Sequence, residues 1–209
     1  MTALRAVDRA CRCLGTDYWL DGGTLLGAVR HGAPIPWDDD VDLCMLRPDF
    51  ERFAAHARAE LGPDYTFCTP ADDPYVPVSA KVFVNGTHVD NEYARQHGLP
   101  GTAHDGLFVD IVVLDPVSRW RLVRRAERVL SGLVGGRPWA AAMARSPQLR
   151  SPGLSSRLRR LRWTVVTRAP RPLVTGITRY LLWRARVRHS DLLGPRADGL
   201  HRARTFRRV

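Results

Sequence analysis

A chain of 209 residues with 44% hydrophobic and 25% charged side chains is long enough to bury one ordinary core. No uninterrupted apolar run approaches the roughly 18–20 residues of a membrane span. The net charge of +11 is a sum of opposites: residues 1–115 hold 9 Lys and Arg against 18 Asp and Glu, and residues 116–209 hold 23 against 3. That asymmetry excludes a uniformly basic protein and predicts two regions with different jobs.

Cys11, Cys13, Cys44 and Cys68 match neither a zinc spacing nor a disulfide framework. They read as small hydrophobes in a reducing compartment. Met1 to Asp8 has no apolar core of signal-peptide length, so the expected location is cytoplasmic.

Leu4, Val7, Cys11 and Leu14 share one helical face, and Gly15 ends that helix. Tyr18 to Leu20 is a short strand. Gly22-Gly23 is a turn, and Thr24 to Val29 is the helix that Thr24 caps. Val41 to Leu46 is a second strand, and Pro48 opens a helix that Gly62-Pro63 stops. Thr66 to Thr69 is short and extended. Val78 to Val84 turns at Asn85-Gly86 into Thr87 to Val89, a hairpin signal. Leu107 to Leu114 is apolar enough for a central strand. The order of elements predicts an α+β fold, a sheet flanked by helices, over residues 1–115.

After Pro116 the texture changes. Trp120 to Leu130 fits a helix ending near Gly132, and Gly135-Gly136-Arg137-Pro138 breaks the chain. Residues 157–188 alternate arginines with apolar side chains, and Pro170 and Pro172 divide them into two short helical pieces. Together residues 116–188 form a basic helical region. Residues 189–209 lack periodicity and are expected to be disordered.

The chemistry gathers early. Asp40 and Asp42 alternate at the start of a strand, so they point the same way. Two adjacent carboxylates repel unless a cation neutralises them, and hard oxygen ligands favour Mg²⁺ or Mn²⁺. Asp110 lies within the apolar run Phe108-Val109-Asp110-Ile111-Val112, where an unpaired charge would cost several kcal/mol. A cation partner, or an arginine, has to meet it. Gly22 and Gly23 let backbone N–H groups approach a phosphate. Lys81 is the chain's only lysine, every similar side chain elsewhere being arginine. A compact ammonium retained there reads as a point charge on phosphate. Arg30 is either a bidentate phosphate ligand or an exposed side chain, with His31 a disfavoured base. Asp115 reads as structural. His88, His97 and His104 show no ligand spacing.

The run Asp21-Gly22-Gly23-Thr24-Leu25-Leu26-Gly27-Ala28-Val29-Arg30-His31-Gly32, followed by Pro36-Trp37-Asp38-Asp39-Asp40-Val41-Asp42, closely resembles the LicD family of phosphocholine and phospho-polyol transferases related to fukutin. The resemblance extends to Ala80-Lys81-Val82 and Gly106-Leu107-Phe108-Val109-Asp110-Ile111 and covers residues 1–115. It implies a nucleotidyltransferase fold with a mixed sheet, with Asp40, Asp42 and Asp110 catalytic and metal-binding, and Asp38 a further metal-proximal acid. Gly22, Gly23, Thr24, Arg30 and Lys81 would then meet the substrate. The implied reaction moves a phospho-alcohol from a CDP-linked donor, such as CDP-choline or a CDP-polyol, to a glycan hydroxyl and releases CMP. The family's aromatic segment near the C-terminus has no counterpart in Ser190-Asp191-Leu192-Leu193-Gly194-Pro195, which leaves acceptor binding open.

Two rivals stand beside this reading. A nucleotidyltransferase acting on an NTP would use the same acids and glycines. A truncated, inactive relative would use only its basic half, to bind an anionic surface. Trp and Tyr among the arginines suit an anionic membrane at its inner face, where a lipid-linked acceptor would be met. No nucleic-acid motif is present, which disfavours that partner.

Overall fold

The computed structural model describes residues 2–38, 40–73, 80–90, 104–134 and 167–187, with 161, 164, 190, 192–194 and 201–202. Its elements are α1 (Thr2–Leu14), β1 (Trp19–Leu20), α2 (Gly22–His31), β2 (Asp42–Leu46), α3 (Arg47–Leu61), β3 (Tyr65–Cys68), β4 (Ala80–Val84), β5 (Phe108–Pro116), α4 (Arg121–Val134), α5 (Arg171–Val187), β6 (Leu192–Gly194) and β7 (His201–Arg202). The strands run in the order β1-β2-β5-β4-β3, with β6 added at one end of β5 and β7 beside β6. Among the described residues, only β2 and β5 pair in parallel; their neighbours are antiparallel, giving a mixed sheet. The α+β expectation holds.

Strand periodicity decides what each face of the sheet does. Leu43 and Met45 of β2, Ala80 and Val82 of β4, and Val109 and Ile111 of β5 are all buried in one cluster. Over them lie Ala3, Val7, Ala10 and Cys11 of α1 and Phe53, Ala57 and Leu61 of α3. Phe53 meets Phe67 of β3 edge-on, ring centroids 5.6 Å apart. Each fully buried side chain of this size contributes about 1.5–3 kcal/mol, so this face carries most of the stability. The alternate residues, Asp42, Lys81, Phe108 and Asp110, necessarily point to the other face. There only small apolar clusters form, Cys44 with Leu114 and Leu193, and Cys68 with Phe83.

A buried ion pair locks the parallel strands together. Arg47, the first residue after β2, donates from Nε to Asp115 Oδ1 at 2.7 Å and from Nη2 to Oδ2 at 2.8 Å. Both side chains are buried. The structural reading of Asp115 therefore gains a specific partner.

Several expectations need correction. The local hairpin does not form, although Asn85 and Gly86 do turn. The strand beside β4 is β5, with Phe83 opposite Phe108 and Ala80 opposite Ile111, and β3 takes the other side. Residues 87–90 are left outside the sheet because both edges of β4 are already filled. Helix α4 continues past Gly132. The expected break at Pro170 and Pro172 does hold: residues 167–168 are helical, 169–170 are not, and α5 starts at Arg171 with Pro172 in its first turn, where proline's missing N–H costs nothing. The Leu158, Trp163 and Val165 positions of that basic stretch lie outside the described residues. Nor is the stretch after residue 189 patternless throughout: Leu193 is buried and pairs with Pro116.

The basic helices are tied to the rest of the chain. Arg184 of α5 donates to the Pro116 carbonyl at 2.9 Å and to Glu127 of α4 at 3.2 Å. Arg186 reaches Glu51 of α3 at 3.0 Å. Among the described residues, no helix is long and apolar enough to cross a membrane.

Candidate active site

On the other face of the sheet the register places three charged side chains in a row across adjacent strands. Lys81 of β4 lies directly opposite Asp110 of β5, and Asp110 lies beside Asp42 of β2. The Lys81 ammonium stands 2.8 Å from Asp110 Oδ1 and 2.9 Å from Oδ2, and its hydrogen bond goes to Oδ2. The buried Oδ1 has no hydrogen-bond partner among the described residues. Phe108, two residues before Asp110 and so on the same face, presents its ring 3.4 Å below the ammonium. Lys81 and Asp110 are both largely shielded from water, at 13% and 18% side-chain exposure, which strengthens their attraction. The charge that Asp110 needs inside an apolar strand is thus supplied by the lone lysine.

The second part of the site is the start of α2. This helix begins at Gly22, earlier than expected, so the glycine pair forms its first turn and does not precede it. Thr24 does not cap the helix. Its hydroxyl instead accepts the backbone N–H of Asp42 at 2.9 Å, pinning the helix to the strand that bears the acid. Gly22 has φ of 54°, a conformation that favours glycine, and a Cβ there would lie 2.7 Å from Asp42 Oδ2. A Cβ at Gly23 would overlap the Asp38 carboxylate. Both glycines are therefore needed for the close approach of carboxylates to the helix start, where first-turn N–H groups lack intrahelical partners and favour negative charge.

Electrostatics mark Asp42 as the centre of the cluster. Burial pushes its carboxyl up to about 6 from an ordinary 3.8, and Asp40, Asp110, Asp21 and Asp38 add to the rise in that order. Asp40 is exposed and precedes the strand, whereas Asp38 and Asp42 are half-buried. Asp39 lies outside the described residues. Arg30 and His31 are exposed in the last turn of α2. Ten helical residues put them about 13 Å along the axis from Gly22, so the structure does not bring them to the acids.

Two contributors escaped the sequence reading. Asp21 opens the quoted motif but was given no role; its backbone N–H donates to the Asp42 carbonyl at 3.0 Å. Phe108 looked like core. Its spacing of two from Asp110 was the signal that it shares the charged face.

Among the described residues, no group of three His, Cys, Asp or Glu side chains is placed to hold a metal ion. The donors are nevertheless of the right chemistry for a hard divalent ion. Four carboxylates press on Asp42, and Asp110 offers a buried oxygen, Oδ1, that stands 2.8 Å from the Lys81 ammonium. Lys81 stands where part of such an ion's charge would act.

A mixed α+β sheet carrying a carboxylate row beside a glycine-started helix defines the class: an α+β domain with an acidic site on the sheet face opposite its helical core. Residues 15–113 match the family described as LicD/FKTN/FKRP, nucleotidyltransferase domain, and over that stretch the chain is a LicD-family domain. It is 34% identical over 109 residues to the lipopolysaccharide cholinephosphotransferase LicD of Haemophilus influenzae, covering 51% of this chain and 38% of that one. It is 52% identical over 48 residues to the human ribitol 5-phosphate transferase FKRP, covering 23% of this chain and 10% of that one. An uncharacterized protein of Rickettsia prowazekii is 56% identical over 32 residues, 15% of this chain and 12% of its own length. The chain thus spans well under half the length of these relatives. No solved structure matches it.

Proposed function

We propose that this chain transfers a phospho-alcohol group, phosphocholine or a phospho-polyol, from a CDP-linked donor to a glycan hydroxyl and releases CMP. The observation that carries this reading is the Lys81–Asp110–Asp42 row facing the start of α2. Relatives named as cholinephosphotransferase and ribitol 5-phosphate transferase support the class of group transferred.

In this reaction the acceptor oxygen attacks the phosphorus that carries the alcohol. The bond from that phosphorus to the CMP oxygen breaks, CMP leaves with the electron pair, and the hydroxyl proton passes to a carboxylate of the cluster. Little covalent chemistry falls to the protein, so alignment and charge stabilisation supply the rate. Asp40, Asp42 and Asp110, with Asp38 nearby, would hold Mg²⁺ or Mn²⁺. Bound there, the ion would neutralise charge on the transferring phosphate and the leaving CMP. Lys81 supplies an ammonium to the same phosphate region, and the α2 start supplies backbone N–H groups. Thr24 keeps that helix registered on β2. Arg30, at the far end of α2, is assigned to the distal part of the substrate.

Product analysis tests the reading. Purified chain incubated with CDP-choline, CDP-ribitol or CDP-glycerol and Mg²⁺ should release CMP when a glycan acceptor is added. Pyrophosphate from CTP or ATP would instead identify the nucleotidyltransferase rival. No turnover of any nucleotide, with and without metal, would leave the inactive relative. We assign the place of action to the inner face of a membrane, where a lipid-linked glycan acceptor would be presented.

A further inference from the structure

Two helices of the basic region leave apolar stripes facing outward. On α4, Leu122, Ala126 and Val129 recur at i, i+4 and i+7, so they share one face. All three are exposed, Leu122 at 83% and Val129 at 61%. Exposed Trp120 stands just ahead of the helix. On α5, Leu173, Tyr180, Trp183 and Val187 recur at i, i+7, i+10 and i+14, again one face, and all are exposed, with Trp183 at 60%. The Tyr180 and Trp183 rings lie beside each other, 6.3 Å between centroids. The side of α5 that packs is the flank next to this stripe, through buried Leu181, Arg184 and Ala185.

The charged rims of these stripes are of one sign. Arg121, Arg125 and Arg128 are exposed beside the α4 stripe, and Arg179 beside the α5 stripe. The acid on these two helices is Glu127, which is buried against Arg184. A face with apolar side chains, Trp and Tyr at its edge and an arginine rim repels a second copy of itself. It complements a surface that is anionic and has an apolar layer beneath.

We propose that the outward faces of α4 and α5 dock on an anionic lipid bilayer, with Leu122, Val129, Leu173, Trp183 and Val187 entering the headgroup layer and Arg125 and Arg179 meeting lipid phosphates. Neither helix spans the bilayer; both lie along it. The inference deepens the reading of a membrane-borne acceptor and rests on it for its purpose, but its test needs no turnover.

The full chain is sedimented with vesicles of phosphatidylcholine alone or mixed with phosphatidylglycerol. Binding should require the anionic lipid and fade as salt is raised. Arg125→Gln and Arg179→Gln should each weaken it about fivefold at low salt. Trp183→Ala should weaken it too, with an unchanged thermal melt. Asp42→Asn, which alters only the catalytic row, should bind vesicles as wild type does. Recovery of wild type in the supernatant with anionic vesicles at low salt would overturn the proposal. So would variants that bind as well as wild type, or a solution dimer by light scattering that Trp183→Asp dissolves. CMP release in vesicle-free buffer reports the reaction separately, so the two ideas fail independently.

Discussion

Lys81 and Asp110 are cross-strand neighbours, 29 positions apart in sequence, whose charges meet at 2.8–2.9 Å above the ring of Phe108. The ammonium therefore competes for the carboxylate that a divalent ion would use. In Lys81→Ala, metal affinity measured by calorimetry should rise, because Asp110 is freed. Turnover should fall by about 2–4 kcal/mol of transition-state stabilisation, the scale of one lost charged donor. Lys81→Arg should rescue poorly, since a planar fork cannot occupy an ammonium's place. Lower metal affinity in Lys81→Ala would show that the lysine assists the ion and does not compete with it.

Asp42 and Asp110 should respond oppositely to neutralisation. Asp42 has a raised carboxyl pKa, so the stability it contributes is complete below about 3.8 and is lost as pH rises through about 6. Asp42→Asn should thus raise the metal-free melting temperature at pH 7–8 and leave it unchanged below pH 4. Because Asp42 is half-buried, screening holds the gain to about 1 kcal/mol. That corresponds to about 2–4 °C in a chain of this size. Asp110→Asn removes the partner of Lys81 and should lower it. Both variants should lose more than nine-tenths of turnover; an active Asp42→Asn would remove Asp42 from the site.

The glycines separate space from backbone strain. Gly22→Ala and Gly32→Ala both force an L residue to φ near 60°, a cost of about 1–2 kcal/mol. A Cβ at Gly32 meets nothing within 4 Å, whereas one at Gly22 meets Asp42. Gly32→Ala should therefore melt lower with full activity, and Gly22→Ala should lose activity too. Gly23→Ala, at ordinary φ, should displace Asp38 and depress turnover with a smaller stability loss. Equal activity in the Gly22 and Gly32 variants would count against the close approach.

Much of this was legible before any coordinates. The helices over residues 2–14 and 47–61 follow from their apolar spacing, and the acids at 40, 42 and 110 from charge placed where chains avoid it. What stayed hidden was pairing. Sequence shows that Asp110 needs a cation and that Lys81 is singular, but the register of β4 on β5 decides that each answers the other. The Asn85-Gly86 turn was read correctly as a turn and wrongly as a hairpin, because a local signal cannot reveal that a strand starting only at Phe108 fills the edge. Thr24 looked like a cap because capping is local, whereas its partner, the Asp42 N–H, lies 18 positions away.

The Arg47–Asp115 pair offers a stability test away from the chemistry. Removing one partner leaves a buried charge alone, so Asp115→Ala should cost about 3–5 kcal/mol by urea denaturation. Arg47→Leu with Asp115→Leu should recover most of that loss, since apolar side chains satisfy the same space. If the double variant is as weak as the single, the pair holds the strands in a way packing cannot replace.

That same pair joins positions 68 apart, across the parallel seam between β2 and β5. Such a closure comes slowly during folding, since a long stretch of chain must be gathered before any contact rewards it. The acid row straddles this seam, so it is assembled by a late, long-range event and exists in no partly folded form. A nascent chain stopped before Asp110 would have a helical core and no site. Metal or nucleotide, by favouring the closed seam, would act on the chain as a folding aid as well as a reactant.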